Sequence, residues 1–512
     1  MPQSSASTPE TAQPVSQQAR ARSDAAAPWG RWLDGAIYFF LCLFVVLLPH
    51  SIKGSNHAWQ TAFVLWLLKL AVERKRPFPQ PLILPLLAYL VLSAISTMLS
   101  PDPYLSWPGM KRVCLAVVGI LVAQNLMRLN QVRTLVLLLL LSGLAAAGFT
   151  AWQYLYGIGV QVKYVRPETA LYRAGVRRDD VITSVNRSRV HTADQLKSAV
   201  DQCSPGATLR IDFLRGSPLH GWKTFVACGE LRNNGPDTQS LQLLRGKPVR
   251  AQGTLGHYGI FAETLMPIGC LAWAMLLSTQ RSKAALRTLF AVIFLSLAMT
   301  ILATQTRAAI AGLAVGCFVA LELLAGKRAR IWANAFLGLL LVASTFWIQH
   351  TRGLSWIAVR DAGTQYRLLM WEDGLRLVRQ HPWFGVGMDT IFNHWQEWNI
   401  RAYAMYHVQW HFHSDIMQLA VERGLLTLAA WLWFVVATLM FLCRLLRRVR
   451  PRSRFATGAV AGALAGFAAF LVPSLVEYCL NDETLVMLLF FLFGMAVAID
   501  RMLDVPGAID VL

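Results

Sequence analysis

Residues 410–443 read WHFHSDIMQLAVERGLLTLAAWLWFVVATLMFLC. From Ile416 to Cys443 the stretch is dominated by apolar residues and exceeds the roughly 20 that a helix needs to cross a bilayer. Two histidines, His411 and His413, and an acid, Asp415, stand at its lip. Titratable groups at such a border cost free energy to place, so they are functional candidates by default. Upstream lies a loop rich in tryptophan, histidine and arginine; downstream, His413-Ser414 is followed after nine residues by Gly424-Leu425.

The rest of the chain repeats this apolar character. Of 512 residues 55% are hydrophobic and only 15% charged, against about 25% charged in soluble domains; mean hydropathy is +0.43. Spans are expected at 33–49, 58–72, 82–99, 112–127, 134–156, 257–279, 288–304, 308–325, 331–348, 415–443, 455–475 and 484–500. That makes an all-α polytopic membrane protein of about twelve helices. The net charge of +20 invites a nucleic-acid partner. The basic residues sit instead in short loops, where they set topology: Glu73-Arg74-Lys75-Arg76, Arg128 with Arg133, Arg281 to Lys283, Lys327 to Arg330, and Arg444 to Arg454. With a cytoplasmic N-terminus all of them fall on the cytoplasmic side. No nucleic-acid partner is expected. The two large loops then face outward.

The expected organisation is a disordered cytoplasmic tail (1–30), five spans (31–156), an inserted domain (157–235), four spans (236–348), an outer loop (349–414), three spans (415–502) and a short cytoplasmic tail (503–512). The tail is rich in Ser, Ala, Gln, Thr and Pro, which cannot bury a core. No small-residue cleavage site follows the first apolar run, so it is expected to stay as a span.

The insert changes character. Val160, Val162 and Tyr164, then Val181, Ile182 and Val185, then Leu209, Ile211 and Phe213 alternate at strand period, and Ala193 to Val200 reads as a helix capped by Thr192 or Asp194. Ala174-Gly175-Val176-Arg177-Arg178-Asp179-Asp180-Val181-Ile182, with Val185-Asn186, Pro205-Gly206 and Leu209 to Arg215, resembles a PDZ domain of the bacterial envelope type. Gly157, Ile158 and Gly159 resemble the loop that receives a peptide carboxylate in that family, which implies a periplasmic peptide or protein as a partner. The loop follows the fifth span directly, without room for the strand that normally precedes it. Peptide capture by strand addition needs a free sheet edge and that loop; an insert that merely shields or orients the outer face needs neither. Cys203 and Cys228 are the only cysteines of the insert; a disulfide and a pair of free thiols are both open. The other six cysteines lie in apolar runs, no CxxC pair occurs, and no metal site is expected.

Candidate chemistry lies at the span ends. Arg250 precedes the sixth span, and Arg307 is enclosed by apolar sequence. An arginine there needs an anion or a water-filled cavity, and its planar fork suits phosphate. Leu368, Trp371, Leu375 and Val378 recur at helical spacing, so an amphipathic surface helix is expected around Arg367. The aromatics from Trp383 to Trp410 read as an interfacial belt. His413 suits a general base near neutral pH, with His411, Ser414, Asp415 and Gly424 in support and Asp415 able to orient an imidazole.

The set as a whole resembles the O-antigen ligase and polymerase superfamily. The matching elements are Arg250-x-x-Gly253-Thr254-x-Gly256, Thr306-Arg307, Arg367 with Trp371, His381-Pro382 with Gly385-Val386-Gly387, and His413-Ser414 spaced to Gly424-Leu425. The chain departs from the pattern at His257-Tyr258 and in carrying the insert. The resemblance implies a multi-pass bacterial inner-membrane enzyme whose site faces the periplasm. It would transfer a glycan from undecaprenyl pyrophosphate to a hydroxyl, of lipid A–core in a ligase, of another repeat in a polymerase, or of a protein in some relatives. It implies His413 as catalytic base, pyrophosphate held by Arg250, Arg307 and Arg367, and neither metal nor cofactor. A transporter would show repeats between halves and polar groups at the midplane, and a membrane protease would carry His-Glu-x-x-His or Gly-x-Ser-x-Gly; neither pattern is present. A non-catalytic scaffold built around the PDZ-like insert is the remaining alternative.

Overall fold

The computed structural model describes residues 28–504 except 74–76, 79, 157–158, 163–164, 166, 191, 205, 216–219, 234–243, 246–249, 353–361 and 403–410. The expected tails, and Gly157 and Ile158 of the glycine loop, therefore lie outside the described residues, as do Tyr403, Tyr406 and Trp410 of the aromatic belt.

The chain is a helical membrane protein with a small antiparallel sheet inserted. Its long helices are α1 (Pro28–Leu47), α2 (Ile52–Glu73), α3 (Ile83–Met98), α4 (Pro103–Asn125), α5 (Leu129–Tyr156), α6 (Tyr258–Ser278), α7 (Ala284–Thr304), α8 (Arg307–Leu324), α9 (Lys327–Arg352), α10 (Ala362–Gln380), α11 (Asp415–Val449), α12 (Arg454–Ser474) and α13 (Glu483–Leu503). Among the described residues nine helical segments are long and apolar enough to cross a membrane. α2, α3 and α9 fill the three remaining expected spans. α4 is broken by a 3-10 turn at Trp107–Gly109.

Small residues let the central helices pack closely, which substitutes in lipid for a hydrophobic driving force between helices. Gly458, Gly462 and Gly466 lie along one face of α12 and admit α6 so closely that a Cβ would meet Ser278, Leu271 and Pro267. α8 packs on both: Gly312 faces Met266, Ala469 and Pro473, and Gly316 faces Cys270 and Ala465. The matched order shows that α6 and α8 run parallel and α12 antiparallel. The N-termini of α6 and α8 therefore share one end with the C-terminus of α12. α11 starts at the same end, since the Leu480 amide beyond α12 donates to Asp415 Oδ1 at 3.0 Å. The basic loops gather at the other end: the Arg501 guanidinium reaches the Leu126 carbonyl, Arg452 the Leu503 carbonyl, and Arg133 stacks over Phe455.

α11 is not continuous. Gly424 has φ 78° and ψ 170°, and the segment 382–387 docks into the break. The Val386 amide donates to the Val421 carbonyl (2.9 Å), Gly387 to Glu422 (2.8 Å), and Leu425 returns to Pro382 (2.8 Å), replacing the helical bonds the break gives up. The backbones approach so closely that a Cβ on Gly424 would lie 2.1 Å from the Trp383 carbonyl oxygen, and one on Gly385 2.4 Å from that of Val421. This is the physical content of the His381-to-Gly387 motif and of the Gly424 spacing. We expect Gly424→Ala to cost several kcal/mol, since the left-handed backbone alone costs about 1–3 kcal/mol before the clash is counted. The thermal midpoint of the purified protein should fall by many degrees; an unchanged midpoint would refute the docking.

In the insert, the sheet order is β5-β4-β2-β1-β6, with β1 Val160–Gln161, β2 Val181–Val185, β3 Ser188–Arg189 paired to β2, β4 Thr208–Arg215, β5 His220–Ala227 and β6 Leu244–Arg245. The expected helix spans Ala193–Asp201 with Thr192 as its cap. Cys203 and Cys228 are disulfide-bonded across a Cα–Cα distance of 6.0 Å, which settles the alternative left open by sequence.

α10 forms where an amphipathic helix was expected, but with a different buried face. Leu368 and Leu375 are exposed, while Tyr366, Met370 and Leu377 pack on Phe412, Val386 and Val421. Within the expected stripe Trp371 and Val378 do face this cluster: the Trp371 indole N–H donates to the Phe412 carbonyl at 2.8 Å, and Val378 packs on it.

Candidate active site

Seven segment ends meet at the rim that bears Asp415: the turn at Pro49-His50, the element 250–257, the α7–α8 turn, the N-termini of α11 and α13, the C-terminus of α12 and one face of α10. Thr254 ties the first two together, its hydroxyl donating to the Pro49 carbonyl at 3.0 Å. Ser414 caps α11, its hydroxyl accepting from the Met417 amide. That cap places His413 one residue outside the helix in a left-handed conformation, φ 48°. The ring is thereby turned back into the protein, where it is 7% exposed.

The imidazole packs against acidic and aromatic neighbours. Nδ1 lies 2.9 Å from Glu477 Oε2. The Tyr366 ring packs edge-on at 5.8 Å and the His411 ring lies 4.4 Å away, centroid to centroid. The other Glu477 oxygen accepts from Arg367 Nη2 at 2.5 Å. His413, Glu477 and Arg367 thus form a continuous chain of charge-assisted hydrogen bonds. Burial by itself would raise the Glu477 carboxyl; the His413 hydrogen bond and the charges of Arg367 and His413 outweigh it and hold it at about 2. His411 moves the other way: burial first, then repulsion by His413, push it down to about 3, so it stays neutral across working pH.

Glu477 was not found by sequence reasoning. The carboxylate expected to orient an imidazole was Asp415, but Asp415 turns away and accepts the Leu480 amide. Its contribution is to pin the 475–482 loop that carries Glu477. The signal available in sequence was a single acid in Leu475-Val476-Glu477-Tyr478, between two apolar runs at the outer end. Arg367 likewise pairs with neither Glu372 nor Asp373. Those two bind Arg401, with Asp373 Oδ1 2.8 Å from Arg401 Nε.

Arg250 is 7% exposed and holds the end of α7. Its Nε donates to the Thr304 carbonyl (2.7 Å), and Nη2 donates to the Gln305 carbonyl (3.1 Å) and to Thr306 Oγ1 (3.3 Å). The guanidinium also stacks 3.2 Å from the centroid of the Tyr258 ring. These contacts fix the α7–α8 turn and so position Arg307, the half-buried first residue of α8, at a helix N-terminus that favours anions. His257, at the cap of α6, adds to the electrostatics around His411.

Behind this rim lies a buried polar layer. Asp482, with Glu263 as hydrogen-bond partner, is pushed up, chiefly by burial. Glu422 Oε1 accepts the Asp389 amide at 2.8 Å, Arg112 reaches Asp389 at 2.6 Å, and Arg423 donates to the Tyr89 hydroxyl at 2.7 Å. The break at Gly424 admits the segment that supplies Asp389. One donor set could hold a metal: among the described residues the nearest ligand atoms of His411, His413 and Glu477 lie within 4.8 Å of one another. Both Glu477 oxygens are engaged, Oε2 with His413 and Oε1 with Arg367.

Fold and site define a polytopic membrane protein with a histidine–carboxylate–arginine centre where helix ends converge on one rim. Residues 290–432 match the O-Antigen ligase family model and residues 129–222 the PDZ domain model. The chain therefore carries an O-antigen ligase domain, of the kind found in ligase- and polymerase-type glycosyltransferases, together with an inserted PDZ domain. The first match contains Arg307, Arg367, the 381–387 motif, His413 and Gly424, and leaves Arg250 and Glu477 outside. The second begins inside α5, before the sheet starts at Val160. No curated protein matches the chain significantly.

Proposed function

We propose that this protein transfers a glycan from undecaprenyl pyrophosphate to an acceptor hydroxyl on the periplasmic face of the bacterial inner membrane, as an O-antigen ligase acting on lipid A–core. The observation that carries this reading is the His413–Glu477–Arg367 chain at the rim opposite the basic loops. With Nδ1–H donated to Glu477, Nε2 keeps a lone pair and takes the proton of the acceptor hydroxyl. The hydroxyl oxygen attacks the anomeric carbon, a glycosidic bond forms, and the bond to pyrophosphate breaks with its electron pair leaving on phosphate. Arg307 offsets the charge that develops there, and Arg250 holds the turn that presents Arg307. Arg367 keeps Glu477 ionised and in place. An apolar groove of about 430 Å³ between α5 and α7, lined by Leu144, Ala147, Tyr154, Leu295, Met299 and Ala303, ends beside the carbonyls that Arg250 binds. It suits the polyprenyl chain of the donor entering sideways from the bilayer.

Two measurements test the reading. In a deletion strain, lipopolysaccharide lacking all long-chain glycan, with carrier-linked polymer accumulating, supports ligation; core bearing a single repeat supports polymerisation instead, and an unchanged pattern rejects both. With reconstituted protein, Arg307→Ala should lower transfer by about 10²-fold, the loss typical of one charge-stabilising donor, and Arg307→Lys should recover only part of it, because lysine keeps the charge but not the fork. Full activity in Arg307→Ala would remove Arg307 from the mechanism.

A further inference from the structure

The sheet edge that strand addition would need is already taken. β1 pairs on one side with β2 (Val160↔Ile182, Gln161↔Val181) and on the other with β6 (Val160↔Arg245, Gln161↔Leu244), antiparallel in both cases. β6 is the last strand of the sheet and comes from far along the chain, after the helix Cys228–Asn233. Among the described residues the hydrophobic core of the insert is gathered between Val160 and Leu231. β1 is anchored on its inner side: the Val162 amide donates to the Asp180 carbonyl (2.7 Å), the Val162 carbonyl accepts from the Asp179 amide (2.6 Å), and Val160 is buried.

A two-residue pairing is about the smallest hold a sheet edge can have. The row of N–H and C=O groups along β1 is a template for any extended strand, and a longer partner would form more main-chain bonds than β6 does. The segment that holds the edge is also a tether: Arg245 lies five positions before Arg250, which grips the Thr304 carbonyl at the membrane rim.

We propose that residues 244–245 are an intramolecular plug of the β1 edge: bound, they close it to added strands, and an extended peptide pairing with β1 displaces them. The site takes a peptide in strand conformation through its backbone, and the chain's own segment is the resident competitor. Release of the plug frees, in the same event, the stretch of chain that leads to Arg250.

The test uses the full-length protein in nanodiscs. Gln161→Cys with Leu244→Cys should form a disulfide, identified by mass spectrometry of proteolytic fragments, while Gln161→Cys with Lys223→Cys, on β5 three strands away, should not. A fluorescent synthetic peptide of residues 241–248, LQLLRGKP, is the probe. Its binding should be at least about 10-fold tighter in Leu244→Pro, where the proline removes an N–H and the plug cannot pair, than in the wild type, and absent in the locked cysteine protein. Replacement of residues 243–246 by a Gly-Ser linker should behave as Leu244→Pro does, which guards against a folding defect of the proline variant. Equal peptide binding in locked, wild-type and unplugged proteins, or no binding in either unplugged variant, overturns the proposal.

Discussion

Replacing His413 by alanine is expected to lower glycan transfer by about 10²–10⁴-fold, the range of a positioned general base. In the proposed reaction the donor's pyrophosphate is already a good leaving group, so the remaining difficulty would be the acceptor, a hydroxyl that must lose its proton as it attacks. Of the titratable groups around the imidazole, His413 is the one suited to accept that proton. His411 is held neutral at about 3, and Glu477 is ionised but committed to His413 and Arg367. The backbone supplies a control. At φ 48° an alanine is strained, whereas asparagine tolerates the left-handed region and restores some polar contact. His413→Asn should therefore keep the thermal midpoint of the parent more closely than His413→Ala and be just as inactive. Substantial transfer by His413→Asn would reject the base assignment. Loss of activity that tracks loss of stability across the two variants would show a structural role instead.

Glu477→Gln is expected to cost about 10²-fold in transfer, through its hold on His413 and Arg367. Its removal leaves the imidazole without the carboxylate that fixes its tautomer and leaves Arg367 without its partner, so kcat should fall while the apparent KM for acceptor changes little. The pH dependence separates this from a packing defect. The carboxyl is held at about 2 in the folded protein, against about 4.3 for an unperturbed glutamate. A lowered pKa contributes stability that is fully present above the unfolded value and is lost as pH falls through the folded one. The gap in thermal midpoint between parent and Glu477→Gln should therefore shrink as pH falls below about 4.3. A gap that keeps growing below that pH, or no gap at any pH, would contradict the ion-pair chain.

Both residues show how far sequence reasoning reaches. His413 was legible because a histidine beside an apolar run, at a fixed spacing from Gly424, is a local signal. Glu477 comes 64 positions after it, and only the return of α12 to the same rim brings the two within hydrogen-bond distance. Asp415, two residues from His413, looked the natural partner; the turn of the helix aims it at Leu480 instead. Arg250 and Arg307 were read as twin phosphate grips. The structure adds that the Arg250 guanidinium binds the Thr304 and Gln305 carbonyls of the α7–α8 turn.

The sequence by itself determined the membrane character, the helix count to a near approximation, the inserted PDZ-like sheet and the gathering of His413, Arg250 and Arg307 at one end of the spans. These follow from run length, period and the distribution of basic loops, all properties of neighbouring residues and of a bilayer with fixed thickness. Only the tertiary structure decided that α11 breaks at Gly424 to admit the 382–387 segment, that Glu477 rather than Asp415 holds the histidine, which face of α10 is buried, and that residues 244–245 close the edge of β1. Each of these joins segments distant in the chain. The free energy that selects them comes from backbone bonds and buried charges that have to be satisfied in the absence of water, and no local pattern records which distant segment will satisfy them.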